Sequence, residues 1–110
     1  MARFVKGDVV VVPFPFSDLT QAKRRPALVI AVLEGDDLIL SQVTTQSTRD
    51  RYAISLDDKD FAAGGLKQPS NVRPNRIFTA DSRIVLYQAG HLKPEKINDI
   101  INKIVEIFRG

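Results

Sequence analysis

The residue types that most often carry out catalysis are scarce in this sequence. It has no cysteine and a single histidine, His91, so it cannot form a thiol nucleophile or a histidine pair for zinc or acid–base chemistry. Its six glycines do not build a phosphate-binding loop of the GxGxxG type. Asp57, Asp58 and Asp60 fall within one predicted turn, where a solvated loop is a more common arrangement than a metal site. We therefore expect no metal or other cofactor, and catalysis only on a substrate that supplies its own nucleophile.

Positive charge is concentrated in two parts of the sequence. The chain has 16 Lys and Arg against 13 Asp and Glu, a formal net charge of +3. One cluster is Lys23-Arg24-Arg25, and the other is the window from Phe61 to Lys93, which holds five cations and one anion. Solvated surface is the simplest explanation of such clusters. Their position in loop-like sequence rather than on a helix face favours a site for an anionic partner.

Length and composition indicate one globular domain. The 110 residues are 44% hydrophobic and 26% charged, which is ordinary for a soluble domain. The longest apolar runs, Val9–Val12 and Ala27–Leu33, are much shorter than the roughly 18 residues of a membrane-spanning helix. The N-terminal segment also lacks the apolar stretch of a secretory signal. We expect a single soluble, cytoplasmic domain over residues 1–110, with no membrane contact.

Short β-branched runs separated by turn residues dominate the first 90 positions. Pro13 and Pro15 should prevent the first strand from continuing in the interior of a sheet, because proline lacks the N–H that a ladder requires. Residues 17–25 and 57–75 are predicted loops, the second with one helical turn. We predict strands at residues 8–12, 27–33, 38–43, 52–56, 76–79 and 83–87.

The C-terminal segment changes to helical periodicity. Pro94 suits a first helical turn and Glu95 its positive end, so we predict a helix over Pro94–Arg109. Short strands followed by one amphipathic helix predict a small, strongly bent antiparallel β-barrel with the helix packed on it. The apolar stripe of that helix consists of Ile97, Ile100, Ile101, Ile104, Val105 and Phe108.

The predicted hairpin brings two polar residues to one edge of the sheet. Arg25 precedes the second predicted strand, and Thr44 follows the third. A turn at residues 34–37 joins these strands, so their outer ends return to the same edge. Taken alone, Arg25 is an ordinary strand-initial charge and Thr44 an ordinary β-branched strand residue.

Four segments, in the same order and at similar spacing, resemble the MazF/PemK toxin family. KGDVVVVPFPFSDLT at 6–20 and KRRPALVI at 23–30 resemble the N-terminal signature of that family. VTTQS at 43–47 also resembles the family, and VRPNRIFTAD at 72–81 is similar to its PemK-type branch. The resemblance covers nearly the whole chain.

The resemblance implies an SH3-like β-barrel with a C-terminal helix, which acts as a homodimer. Members of the family are toxins of type II toxin–antitoxin pairs that inhibit growth and are neutralised by an antitoxin, here expected to bind through an acidic, partly disordered segment. Most cleave single-stranded mRNA at short sequences without a metal, leaving a 2′,3′-cyclic phosphate and a 5′-hydroxyl. Residue by residue, the resemblance implies that Arg25 and Thr44 are catalytic. It does not settle which group removes the 2′-proton.

The chemistry of RNA cleavage fits these residue types. When the substrate's own 2′-hydroxyl attacks, the protein must stabilise a phosphorane with extra negative charge. The guanidinium of Arg25 supplies parallel donors and remains charged, and the hydroxyl of Thr44 can donate to a non-bridging oxygen. We therefore predict an endoribonuclease.

Other polar residues are candidates for RNA binding. Phe14 and Phe16 are expected to anchor the core rather than to stack on bases. A rival hypothesis is a non-catalytic protein on the same barrel, either a toxin that binds DNA gyrase or an RNA-binding module. The predicted RNA-binding residues are Ser17, Lys23, Arg24, Gln46, Ser47, Arg73 and Arg76, of which the cations would contact phosphates and Gln46 and Ser47 base edges.

Overall fold

One curled antiparallel sheet accounts for most of the chain in the computed structural model, which describes residues 3–14, 19–45 and 49–110. The strands are β1 (Asp8–Phe14), β2 (Lys23–Val32), β3 (Asp37–Thr44), β4 (Ile54–Leu56), β5 (Phe61–Gly64), β6 (Ser70–Asp81) and β7 (Tyr87–Leu92). Their order across the sheet is β4-β6-β3-β2-β1-β7-β5. In the described part of the chain the end strands β4 and β5 do not pair with each other, so the sheet forms a half-barrel. The predicted fold class, mainly β with a C-terminal helix, is confirmed.

Both faces of the sheet are apolar. Successive residues of a strand point to opposite faces, and consecutive apolar residues therefore supply both. In β1, Val9 belongs to one buried cluster, while Val10 and Val12 belong to the cluster on the other face. The first cluster also contains Leu28, Val43, Leu56, Phe61, Val72, Leu92, Ile100 and Ile104. The second contains Ala27, Val29, Leu38, Leu40 and Ala80.

The C-terminal helix α1 (Pro94–Arg109) has the predicted bounds, with proline in its first turn. Ile100 and Ile104 are buried against the sheet, whereas Phe108 at the far end of the stripe is 70% exposed. The apolar stripe is therefore longer than the surface that the sheet covers. In the described residues, no helix is long and apolar enough to span a membrane.

The first two strands are longer than the sequence predicts. β1 continues through Pro13 to Phe14, and β2 begins at Lys23 rather than at Ala27. β7 ends its pairing with β1 at Val11, so Pro13 lies where β1 has β2 as its neighbour on one side only. A proline is tolerated there because its missing N–H interrupts no interior ladder. The predicted loop 17–25 is thus wrong from Lys23 onward.

The second half of the sheet departs more from prediction. The predicted loop 57–75 contains β5 and the beginning of β6, and β4 starts at Ile54, two residues later than expected. β6 is continuous because a bulge of three residues, between its pairs Ser41–Ile77 and Gln42–Arg73, accommodates the proline at position 74.

The predicted strand at 83–87 is also wrong. Ser82–Ile84 form a 3₁₀ turn, capped by the carboxylate of Asp81, which accepts the N–H of Arg83 at 2.9 Å. β7 begins only at Tyr87.

The histidine and the acidic cluster stabilise the fold. The buried carboxylate of Asp8 lies 2.8 Å from Nδ1 of His91 and accepts the backbone N–H of Val5 at 2.9 Å. The side chain of Asp57 caps the 3₁₀ turn Asp58–Asp60. Oδ1 of Asp60 also lies 3.6 Å from Nζ of Lys96 on α1. These contacts give the histidine and the acidic cluster a structural role.

We expect Gly64→Ala to destabilise the protein far more than Gly35→Ala. Both glycines have positive φ, but a Cβ at Gly64 would overlap the backbone of Ala89 and Gly90, whereas a Cβ at Gly35 meets nothing within 4 Å. Conformational strain alone should cost about 1 kcal/mol at Gly35, and strain plus overlap about 2–4 kcal/mol at Gly64. Urea unfolding of the two variants measures the difference. Equal losses would show that β5 moves away from β7 without cost.

Candidate functional site

The sheet divides at one end into two branches. Pairing between β2 and β3 stops at Ala27 opposite Gln42, and the next residue of β2 is Pro26, which has no N–H to donate. Beyond this point β2 stays paired with β1 as far as Lys23, while β3 stays paired with β6 as far as Thr44. The two branches separate, and we call the gap between them the cleft.

The cleft has a volume of about 470 Å³ and is lined by both branches. Four of its lining residues are cationic, and within the described part of the chain none is acidic. Such a surface suits a polyanion. The lining residues are Phe14, Gln21, Lys23, Arg24, Arg25 and Pro26 on one side, and Gln42, Val43, Thr44, Thr45 and Arg73 on the other.

Arg25 and Thr44 occupy equivalent positions across the cleft. Continuing the β2–β3 register by two residues from Ala27 and Gln42 would place them opposite each other. Arg25 is exposed, and Thr44 is half-buried. No described carboxylate forms an ion pair with Arg25, which lines the cleft. A guanidinium and a hydroxyl are both groups that can donate hydrogen bonds to an anion.

Arg73 lines the cleft and is held by an acidic residue that does not line it. Its Nε and Nη2 both donate to Oδ2 of Asp50, each at 3.2 Å. Its backbone carbonyl accepts the hydroxyl of the buried Ser41 at 2.8 Å. The backbone N–H of Tyr52 and the side chains of Arg73 and Asn75 hold the pKa of Asp50 below its ordinary value. Arg73 is therefore fixed in place and partly neutralised.

The structure brings some of the predicted site residues together and separates others. Lys23, Arg24 and Arg73 line the cleft with the predicted catalytic pair. Arg76 does not line it; this exposed residue lies within the bulge of β6. The predictions for Ser17, Gln46 and Ser47, and for Phe16, lie outside the described residues.

The basic window between Phe61 and Lys93 is not a single patch. Arg83 pairs with Asp81 at 2.6 Å, and this contact lowers the pKa of Asp81 to about 2. Lys93 lies beside the start of α1, away from the cleft. Of the five cations in the window, Arg73 alone lines the cleft.

Sequence reasoning missed several polar residues of the cleft. Gln42 precedes Thr44 by two positions in β3, so strand alternation alone would have placed both on one face. Thr45 follows directly, whereas Gln21 comes from the 3₁₀ turn Leu19–Gln21, for which no periodic signal exists. Phe14 packs on Phe78 with ring centroids 5.8 Å apart and also lines the cleft, so it anchors the core as expected while presenting part of its surface to the site.

We expect Asp50→Asn to destabilise the protein more than Asp81→Asn. The side chain of Asp50 is only 9% exposed and fixes Arg73, so losing its charge leaves a mostly buried guanidinium poorly satisfied, at a cost of about 1–3 kcal/mol. Asp81 is more exposed, and water screens its pair with Arg83. Because the pKa of Asp50 is lowered on folding, its contribution is complete above the unfolded value near 3.9 and is lost as the pH falls through the folded value. Urea unfolding at neutral and at acid pH measures both effects, and equal losses for the two variants at neutral pH would contradict the role of Asp50.

Comparison with known proteins agrees with the fold. No curated protein sequence matches the chain. Among solved structures, a MazF from Deinococcus radiodurans is similar with a TM-score of 0.75, at 17% identity and with all of both chains covered. The Mycobacterium tuberculosis toxin MazF-mt6 has a TM-score of 0.72 at 19% identity, covering 93% of this chain and 96% of its own. An endoribonuclease in complex with its cognate antitoxin, from a mycobacterial species, has a TM-score of 0.71 at 14% identity, covering 96% and 95%.

The sequence family identifies the chain more closely than these structural neighbours do. The family described as PemK-like, MazF-like toxin of type II toxin–antitoxin system matches residues 5–108. That range includes every strand of the sheet and nearly all of α1. The chain therefore belongs to the PemK-like, MazF-like family of type II toxin–antitoxin toxins.

Proposed function

We propose that this toxin is a metal-independent, sequence-specific endoribonuclease that cleaves single-stranded mRNA in the cleft and so inhibits translation and growth. One observation carries the proposal: Arg25 and Thr44 lie at equivalent positions on the two branches of a cationic cleft. An exposed guanidinium facing a hydroxyl is the donor set that a developing phosphorane needs. A neighbouring structure is also named an endoribonuclease.

The reaction uses the substrate's 2′-hydroxyl as the nucleophile. The 2′-oxygen loses its proton and forms a bond to phosphorus, and the bond from phosphorus to the 5′-oxygen breaks as that oxygen gains a proton. The products are a 2′,3′-cyclic phosphate and a 5′-hydroxyl. Arg25 and Thr44 donate to the non-bridging oxygens, where negative charge increases in the transition state. Their donation therefore strengthens as the reaction proceeds.

The remaining residues of the cleft would bind the RNA strand. Lys23 and Arg24 have no ion-pair partner among the described carboxylates, so they are suited to phosphate contacts, and Arg73 retains part of its charge. We keep Ser17, Gln46 and Ser47 as proposed contacts, the last two to base edges. Arg76 would contact RNA only outside the cleft.

An antitoxin is the expected protein partner. Neighbouring solved structures include complexes of a toxin with its cognate antitoxin and a MazE–MazF complex. We propose that an acidic, partly disordered antitoxin segment occupies the same cationic cleft and orders as it binds. We also propose that the toxin is a homodimer, as the family resemblance implies. Its mRNA target places the activity in the cytoplasm.

Replacing the catalytic pair should reduce cleavage without unfolding the protein. We expect Arg25→Ala to lower the single-turnover rate on a long single-stranded RNA by about 10²–10³-fold, because charge-assisted donors to the phosphorane are lost. Thr44→Val should lower the rate by about tenfold, because one neutral donor is lost. Arg109→Ala and Thr79→Val are matched controls at exposed positions that do not line the cleft, and both should cleave at the wild-type rate.

Circular dichroism and thermal unfolding establish that each variant is folded. Full cleavage by folded Arg25→Ala would remove Arg25 from the mechanism. Loss of cleavage by all four variants would indicate a general effect on the protein. If wild-type protein binds RNA but leaves it intact, the non-catalytic alternative is correct.

The proposed nucleophile belongs to the RNA, so a single deoxy substitution tests it. An oligonucleotide with 2′-deoxyribose immediately 5′ of the scissile phosphate should resist cleavage while binding almost as well as the matched RNA, because most binding energy comes from other phosphates and bases. It should therefore act as a competitive inhibitor. Mass spectrometry of the products of unmodified RNA should show a cyclic phosphate on the 5′ fragment, and excess EDTA should not reduce the rate. Cleavage of the deoxy strand, or activity lost in EDTA and restored by magnesium, would overturn the mechanism.

A further inference from the structure

Asp50 connects the chain segment before β4 to strand β6. Its Oδ1 accepts the backbone N–H of Tyr52 at 2.9 Å, and its backbone carbonyl accepts the N–H of Ala53 at 3.1 Å. Its Oδ2 accepts two hydrogen bonds from Arg73, and the side chain of Asn75 also hydrogen bonds with the carboxylate. The carboxylate is therefore anchored by its own segment and cannot shift independently of it.

The guanidinium of Arg73 is fixed along one edge only. Two of its five N–H groups, on Nε and Nη2, donate to Asp50, and the other three have no hydrogen-bond partner among the described residues. The backbone of Arg73 is also held, because its carbonyl accepts the hydroxyl of the buried Ser41 at 2.8 Å. A guanidinium is planar and rigid, so fixing one edge fixes the direction of the three remaining donors.

Asp50 also limits the positive charge that Arg73 contributes to the cleft. The side chains of Asp50 and Arg73 are only 9% and 21% exposed, so water screens the pair weakly. The other cations of the cleft, Lys23, Arg24 and Arg25, have no ion-pair partner among the described carboxylates. An arginine that only attracted a polyanion would do so better without a carboxylate beside it. Asp50 thus gives Arg73 a fixed orientation and lowers its net charge.

We propose that Asp50 is a positioning residue for RNA cleavage, which holds Arg73 so that its three remaining N–H groups meet a phosphate of the strand in the cleft. The proposal rests on the proposed function, because the phosphate belongs to the RNA that is cleaved. Donors oriented before the substrate arrives need no reorganisation during the reaction, so the ion pair raises the cleavage rate. The same ion pair lowers the affinity for RNA, because it offsets one positive charge.

A purely structural contact is the alternative. Such a contact would contribute to the free energy of unfolding, but its loss would leave the rate and the RNA affinity of the folded protein unchanged. The positioning role predicts changes of opposite benefit, namely tighter binding and slower cleavage. Kinetics and equilibrium binding of folded variants therefore distinguish the two roles.

The first test is the Asp50→Asn variant. It should bind the oligonucleotide with 2′-deoxyribose 5′ of the scissile phosphate about threefold more tightly than the wild type, because the charge of Arg73 is no longer offset. The slope of log affinity against log salt concentration should become steeper by about 0.7, as for one further neutralised phosphate. The single-turnover rate at saturating protein should fall by about tenfold, because Arg73 loses its fixed orientation.

Asp81→Asn is the matched control. It makes the same change in net charge, but the pair of Asp81 and Arg83 is more exposed and does not line the cleft. All three quantities should keep their wild-type values. Circular dichroism under the assay conditions establishes that both variants are folded.

A double-mutant cycle tests whether Asp50 acts through Arg73. Arg73→Ala should slow cleavage, and adding Asp50→Asn to it should cause no further loss of rate, because the residue that Asp50 positions is already absent. Arg73→Lys provides a second route if Asp50→Asn does not fold. Lysine keeps the charge but lacks the planar fork, so this variant should retain most of the affinity and cleave about tenfold more slowly.

The possible outcomes separate the positioning role from the proposed function. If the wild type cleaves RNA and folded Asp50→Asn matches it in rate, affinity and salt slope, Asp50 is purely structural and the proposed function stands. Wild-type cleavage by Arg73→Lys, or equal losses from Asp50→Asn with and without Arg73, would also overturn the positioning role alone. If the wild type neither binds nor cleaves RNA, both proposals are wrong.

Discussion

The end of the β2–β3 ladder at Pro26 determines where every residue of the cleft lies. A residue with an N–H at this position could extend the ladder toward Thr44 and join the two branches into an uninterrupted sheet. Proline cannot donate, so each strand keeps only its outer neighbour beyond Ala27 and Gln42. The backbone thereby opens a gap at the centre of the sheet, and side chains from both branches line it.

The central part of this architecture was predictable from local sequence. β1, β2 and β3 contain apolar β-branched runs, and the amphipathic stripe and Pro94 defined α1 to the residue. The hairpin of β2 and β3 was sufficient to place Arg25 and Thr44 at one edge. What local patterns could not show is tertiary context. β6 contains a proline and polar residues that favour a loop, and only its pairing with β3 makes it a strand.

The candidate site also has a part that local sequence could predict and a part that it could not. The cations of the Lys23–Arg25 cluster line the cleft because they belong to a strand whose register is fixed. Arg76 does not line the cleft, and it lies in a three-residue bulge that cannot be recognised before the pairing of β6 is known. The contact between Asp50 and Arg73 joins residues 23 positions apart, so no periodicity points to it. It emerged only from the side-chain geometry.

The division of the sheet also separates residues by how freely they can be replaced. The opening is set by backbone pairs and by one imino acid, whereas its lining includes the side chains of Lys23, Arg24, Gln42 and Thr45. Changes at the rim leave the ladder intact and do not alter the distance between the two branches. The side chains that face the opening can therefore be exchanged by a few substitutions while the backbone around it keeps the same geometry.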